Sequence, residues 1–219
     1  MEITWYGHSC FRISNHDTKT IVTDPFDHRE VGLKPLRLKA DIVTISHDKP
    51  GHNFIAAVKS EPYLITGPGE YEIGGVFITA IQTQMPSKRN NNHEQPNLLC
   101  VIEYLGITVA HLGALNRVLT QAEVEALGPV HIALVPVGGG DSLNSAKAAE
   151  VVSLIEPNIV IPMHYALPES QLNLEPLRKF LKEMGLTDVE PQPALKIKTV
   201  SSLPEDTRVV VLDYPRDER

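Results

Sequence analysis

The residues best suited to chemistry crowd one short stretch, Ser46-His47-Asp48-Lys49-Pro50-Gly51-His52-Asn53. Neutral imidazole is a good ligand for zinc, and a catalytic zinc takes three protein ligands and leaves a fourth position to water. His47 and His52 supply two such ligands. Asp48 alternates away from His47 on an extended chain, so it points elsewhere. Taken alone, two histidines at this spacing fit polar turn residues as well as a metal loop.

Three more histidines fall at strand ends. His164 follows the apolar run Ile159-Val160-Ile161-Pro162-Met163, His111 closes the strand in "TVAHLGALN", and His8 lies in the turn "YGHSC". In layered α/β proteins, ligands gather outside strand ends. Each of the three also fits a buried, hydrogen-bonded core histidine. His16, His28, His93 and His131 read as surface or turn residues. "VGGGDSLNSAK", residues 137 to 147, reads as strand, glycine loop and helix. A helix start of that kind favours anions, although Ser142 or Asn144 serving only as a cap explains the same residues. "GHSCF" lacks the second glycine and the following helix of a nucleophile elbow. "GPGEYEIGG" carries Pro68 and strand-like residues where a dinucleotide loop needs a helix.

Short apolar or alternating runs position these residues. Strands are expected at Ile3–Tyr6, Cys10–Ile13, Thr20–Thr23, Ile42–Ile45, Tyr63–Thr66, Val76–Ile81, Leu98–Tyr104 and Thr108–His111. Leu105-Gly106 marks a tight hairpin turn, and a short helix is expected to open at Asn53. Helices come later: Thr120 to Glu123 reads as a capping box. Ala148, Val151, Val152 and Ile155 share one helical face, as do Leu177, Phe180, Leu181 and Met184. Further strands are expected at His131–Val137, Asn158–Ile161, Ala194–Val200 and Arg208–Leu212. The segment 86–96, "PSKRNNNHEQP", reads as a polar surface loop. Sheet packed on sheet with helices outside, in a single α/β domain over 1–219, fits this order.

Composition narrows the classes. The chain has 219 residues, 42% hydrophobic and 21% charged, with a formal net charge of -7. That charge repels phosphate backbones, so nucleic acid is not an expected partner. No run approaches the ~20 apolar residues that span a bilayer, and the N-terminal residues carry no basic, apolar leader. Two cysteines, Cys10 and Cys100, form no disulfide framework and suit a cytoplasmic protein with buried thiols.

Several motifs taken together and in order, "WYGHSCFRI", "TDPF", "DIVTISHDKPGHN", "GPGEYEIGGV", "VAHLGALN", "LVPVGGG" and "IVIPMHY", resemble the metallo-β-lactamase superfamily. The branch is that of the small metal-dependent hydrolases that includes the ascorbate-6-phosphate lactonases. The resemblance covers nearly the whole chain and implies the four-layer αββα sandwich. It implies that His47, His52 and His164 are residual metal-ligand positions. His47 would belong to one ion, and His52 and His164 to the other. Asp24, in "TDP", would orient a ligand histidine from behind, and His8 and His111 would lie in or beside the pocket.

The same resemblance exposes losses. The family loop has the form His-x-His-x-Asp-His, and here Lys49 and Gly51 replace the second histidine and the aspartate. Met85 stands at the best match to another ligand histidine, and Ala114 replaces the aspartate that bridges two ions. An ammonium at Lys49 would repel a dication strongly in a low-dielectric pocket, and the Met85 thioether is a poor zinc ligand. No tightly bound pair of ions is expected. A single site for zinc or another divalent ion is the alternative, with His8 or His111 swinging in beside His52 and His164. The leading functional expectation is therefore a non-catalytic or weakly active member of the fold that binds a small anionic ligand. The alternatives are an active single-metal hydrolase of an ester, lactone or phosphoester, and an interaction subunit with a vestigial cleft.

Overall fold

A computed structural model describes residues 1–49, 51–85 and 95–215. Among the described residues the chain forms two mixed sheets. The first contains β1 (Glu2–Trp5), β2 (Phe11–Asn15), β3 (Thr18–Thr23), β4 (Ile42–Thr44), β5 (Tyr63–Ile65) and the late β12 (Leu195–Lys196), ordered β12-β1-β2-β3-β4-β5. The second contains β6 (Gly69–Ile73), β7 (Val76–Met85), β8 (Gln95–Tyr104), β9 (Ile107–His111), β10 (Ile132–Pro136), β11 (Ile159–Met163) and β13 (Arg208–Val209), ordered β13-β11-β10-β9-β8-β7-β6.

Sequence pattern explains which strands run parallel. β4, β10 and β11 are buried at every residue and pair parallel with their neighbours. Strands covered on both faces read as unbroken apolar runs, as these do. β1 and β2 alternate in burial and pair antiparallel. One apolar cluster, including Ile3, Phe11, Ile42, Ile78, Val109 and Leu134, draws on both sheets. The αββα reading agrees with these two sheets and the helices α1 (His28–Val31), α2 (Gln121–Leu127), α3 (Ser145–Ile155) and α4 (Leu177–Glu183).

Local signals account for the ends. Leu105 and Gly106 both adopt positive φ, 54° and 75°, in the turn from β8 to β9. This is the left-handed pair that matches strand twist in a two-residue hairpin. The Thr120–Glu123 capping box is complete in both directions. Asn144 caps α3 by accepting from the Lys147 amide.

Several expectations need correction. No α-helix opens at Asn53; residues Ile55–Ala57 make a single 3-10 turn, because the chain becomes extended at Val58, where it bridges to Leu38. β7 continues past Ile81 to Met85 and pairs with a β8 that begins at Gln95. The extension is hard to read because its inward residue is polar: Thr83 is buried and bonds Asn97, while Gln82 and Gln84 are exposed. Of the polar segment 86–96, residues 86–94 lie outside the described residues. β6 is a strand although its residues alternate weakly, and β12 and β13 have only two residues each. α1 is a single turn between an Asp27 cap and Gly32 at φ 83°.

Arg117 donates two hydrogen bonds to the Glu123 carboxylate, of 2.8 and 2.7 Å. That contact, together with bonds from Thr120, lowers the Glu123 carboxyl from 4.5 to about 2. A depressed folded-state value means the contribution is present above the ordinary value and is lost as pH falls from 4.5 toward about 2. Glu123→Gln should therefore lower the urea midpoint at pH 6, with the difference from the parent shrinking through that window. Thr120→Ala, which removes the cap, should cost about 1 kcal/mol.

Candidate metal centre

The turn after β1 delivers His8, the loop after β4 delivers His52, and the end of β11 delivers His164. One ring nitrogen from each lies within 4.8 Å of the others, and all three residues are buried. Ring centroids are 4.4 Å apart for His8 and His164, 4.8 Å for His8 and His52, and 6.1 Å for His52 and His164. Among the described residues this is the one cluster of histidine, cysteine and carboxylate groups with metal-binding spacing.

The backbone is strained where it presents these groups. His8, Asp24 and His164 have φ of 51°, 39° and 52°, three of only five described non-glycine residues at positive φ. Such conformations cost about 1–3 kcal/mol each and persist only where surrounding contacts impose them. The contacts are visible. The Trp5 indole N–H and the His164 amide both donate to the His8 carbonyl, each at 3.1 Å. The Asp24 amide donates to the Thr44 carbonyl at 2.9 Å. Gly138 lets the His164 backbone come close, since a Cβ there would stand 2.2 Å from the His164 carbonyl oxygen.

Hydrogen-bond partners fix which ring nitrogen remains open. Asp24 Oδ2 accepts from His52 Nδ1 at 2.8 Å, leaving the His52 Nε2 lone pair exposed to the cluster. Ser142 Oγ donates to the Gly139 carbonyl and so accepts from His164 Nδ1 at 3.0 Å, which leaves His164 Nε2 open. His47 Nδ1 donates to the Pro96 carbonyl at 3.0 Å, leaving its own Nε2 open. This is the arrangement in which an outer acceptor sets tautomer and ring orientation.

Burial disfavours the charged form of His8, His47 and His164. Burial, followed by the neighbouring His164 and His52, holds His8 well below its ordinary value. Burial and His52 push His164 down to about 3. Burial also lowers His47. Burial opposes ionisation of Asp24, but His111, His52 and the bonds from His52 and Ser46 outweigh it and hold the carboxyl below its usual range. Neutral nitrogens in front of a buried anion suit a divalent cation. Three imidazoles, two with the tautomer set for ligation, therefore fit one such ion and leave a coordination position to water.

The residues singled out from sequence fall into distinct places. His52 and His164 enter the cluster, and His8 completes it. His47 stands beside it, with its ring centroid 6.0 Å from that of His52, but is not one of the three converging groups. His111 does not swing in: its Nε2 donates to the Ser9 carbonyl at 3.0 Å and the ring is fully buried. Asp24 lies behind His52 and is itself held by the Ser46 amide and hydroxyl. Lys49 corrects the expectation of a cation lodged at the metal position. Its Nζ lies 3.1 Å from Asp141 Oδ2 and the side chain is 40% exposed, because pairing at the rim costs less than burying a bare ammonium. Gly51 is adjacent to the cluster, with His8 Nε2 3.0 Å from where a Cβ would stand. The imidazole of His8 borders the space a side chain at position 51 would need. Ala114 is buried and offers only its amide, which donates to Asn97 Oδ1 at 2.8 Å. Met85 is the last residue of β7. Ser142, read from sequence as part of an anion-favouring loop or as a helix cap, instead buttresses His164, a contact across α3 that no local pattern carries.

Gly138→Ala should displace the His164 carbonyl and lower stability by about 1–3 kcal/mol, as overpacking does. Thermal melting beside Gly67→Ala checks this, since a Cβ at Gly67 meets nothing within 4 Å and the control should melt like the parent.

Comparison with known proteins agrees with this architecture. The profile of the beta-lactamase superfamily domain matches residues 2–164. A solved structure from Thermotoga maritima, described as a candidate Zn-dependent hydrolase of the metallo-β-lactamase superfamily, is 36% identical with a TM-score of 0.79, covering 98% of this chain and 99% of that one. A UPF0173 protein of Pyrococcus furiosus is 28% identical over 90% of this chain and its own full length. A UPF0173 metal-dependent hydrolase of Thermoplasma acidophilum is 27% identical over 75% of this chain and 83% of that protein. With the domain profile matched over most of its length and the two-sheet frame in place, the chain belongs to the metallo-β-lactamase superfamily.

Proposed function

We propose that the protein is a mononuclear metal-dependent hydrolase acting on an ester, lactone or phosphoester. The observation that carries this reading is the convergence of His8, His52 and His164 within 4.8 Å, with the outer nitrogens of His52 and His164 already engaged. A bound divalent ion of the zinc type would supply Lewis acidity toward the substrate oxygen and a more acidic water. The chain's own residues do the remainder. Asp24 holds His52 in one tautomer, and Ser142 does the same for His164. His47, neutral and with Nε2 open beside His52, is the group positioned to accept the proton of the attacking water. The Lys49–Asp141 pair lies at the rim, where it can meet a polar substrate without crowding the cluster.

A single ion, rather than two, follows from chemistry at the missing positions. Gly51 and Ala114 bring no oxygen donors, and a second ion would lack the carboxylate that shares charge between metals. The same losses favour the second reading, a fold retained without catalysis that binds a small anion in the cleft.

Elemental analysis of protein purified without chelator or added metal should find about one divalent ion per chain. His8→Ala, His52→Ala and His164→Ala should each abolish it, whereas His47→Ala should keep the ion and lose turnover of activated ester or phosphodiester substrates. A metal-free parent, or two ions per chain, defeats the mononuclear proposal. One ion with no hydrolysis of any such substrate favours the second reading.

Asp24→Asn preserves shape but removes the acceptor that fixes His52. Metal affinity, measured by competition with a chromophoric chelator, should fall about 10–100-fold. Retained affinity would show that His52 needs no partner behind it.

A further inference from the structure

A second cleft, lined by none of the three clustered histidines, lies under the segment between α1 and β4. Its volume is about 810 Å³. Four cationic side chains line it, Arg12 from β2 and Lys34, Arg37 and Lys39 from the covering segment, and among the described residues no acidic side chain lines it. That concentration runs against a chain whose formal net charge is -7. Tyr6 and Leu36 add an aromatic and an apolar wall.

Arg12 is the informative member. Its strand neighbours Phe11 and Ile13 are fully buried in the core, so alternation turns Arg12 to the opposite face of the sheet. There its Nε is shielded without a hydrogen-bond partner, while the side chain as a whole is half-buried and lines the cleft. A buried donor left unmade is expensive, more so on a charged group, and native structures rarely tolerate one without a reason. A guanidinium donates in a flat fork that matches two oxygens of one anion. Thr20, also on the lining, has its amide committed to Asp41, whose other oxygen takes Lys19. That carboxylate is therefore already engaged by partners other than Arg12.

We propose that this cleft binds an organic phosphomonoester, with Arg12 as the fork on the phosphate, the lysines and Arg37 as flanking charge, and Tyr6 and Leu36 against the organic body. A phosphomonoester brings up to two negative charges and three acceptor oxygens, which the cationic lining requires. An apolar wall on the same cleft favours a phosphate carried by an organic group over the bare ion. The site is independent of the proposed hydrolase reaction, and its occupancy needs no metal. It is linked to the metal centre only through the chain, since Tyr6 is two residues before His8 and Leu33 packs where a Cβ at Gly7 would stand.

Isothermal titration of the full, chelator-treated chain tests the proposal, with adenosine 5′-monophosphate and glucose 6-phosphate as probes and adenosine as the uncharged control. At least one phosphomonoester should bind saturably at one site per chain, more tightly than inorganic phosphate, while adenosine should not bind. Arg12→Met should weaken binding at least about tenfold, the scale of one charge-assisted contact. Should Arg12→Met fail to fold, the exposed pair Arg37→Gln/Lys39→Gln provides the same test and should weaken binding with an unchanged melting temperature. His164→Ala should bind as the parent does. The proposal is overturned if no phosphomonoester binds saturably, if inorganic phosphate or adenosine binds as tightly, or if His164→Ala abolishes binding while the Arg37→Gln/Lys39→Gln pair retains it.

Discussion

The centre of the molecule depends on one buried anion. Asp24 has no solvent exposure, and its carboxylate accepts from the Ser46 amide, the Ser46 hydroxyl and His52 Nδ1. An uncompensated carboxylate at this depth would be prohibitively costly. These three donors make it tolerable, and each donor in turn is held in one geometry. Ser46 and His47 leave the end of β4 along a path that Asp24 fixes, and His52 is turned so that its remaining nitrogen faces inward. The positive φ of Asp24 is the local cost of bringing that carboxylate under the loop.

From that point outward the logic is one of neutral donors around a space. His8 and His164 cannot carry protons easily, because burial and mutual proximity both oppose charge. Their lone pairs are therefore available at ordinary pH. Lys49, the lysine of the loop, is drawn to Asp141 at the rim. Gly51 leaves the adjacent volume to the His8 imidazole, whose Nε2 lies 3.0 Å from where a Cβ at position 51 would stand.

Much of this was legible in the sequence, and the limits have physical causes. Uninterrupted apolar runs at β4, β10 and β11 announce buried parallel strands, and the capping box announces α2. The reach of β7 to Met85 is masked because Thr83, not an apolar residue, faces inward. His164 can be picked out by its strand-end placement and His52 by the histidine-bearing loop, while Asp24 is marked only by the family resemblance of "TDP". His8 does not rank above His47 on sequence grounds, since nothing in the spacing of residues 8 and 52 reveals that their rings lie side by side. The rim pairing of Lys49 depends on Asp141, 92 positions away, and no local pattern carries that information. Arg12 reads as an ordinary outward strand residue until the covering segment places three more cations over it.

The His164 amide closes on the His8 carbonyl, and those residues extend from different sheets. Residues separated by most of the chain meet only when the two layers have docked, and contacts of such long sequence separation form late. The nitrogen cluster is thus a seam rather than an ornament on one layer. Any fluctuation that parts the layers also scatters the donor atoms, so the convergence of the three imidazoles and the cohesion of the sandwich rise and fall together.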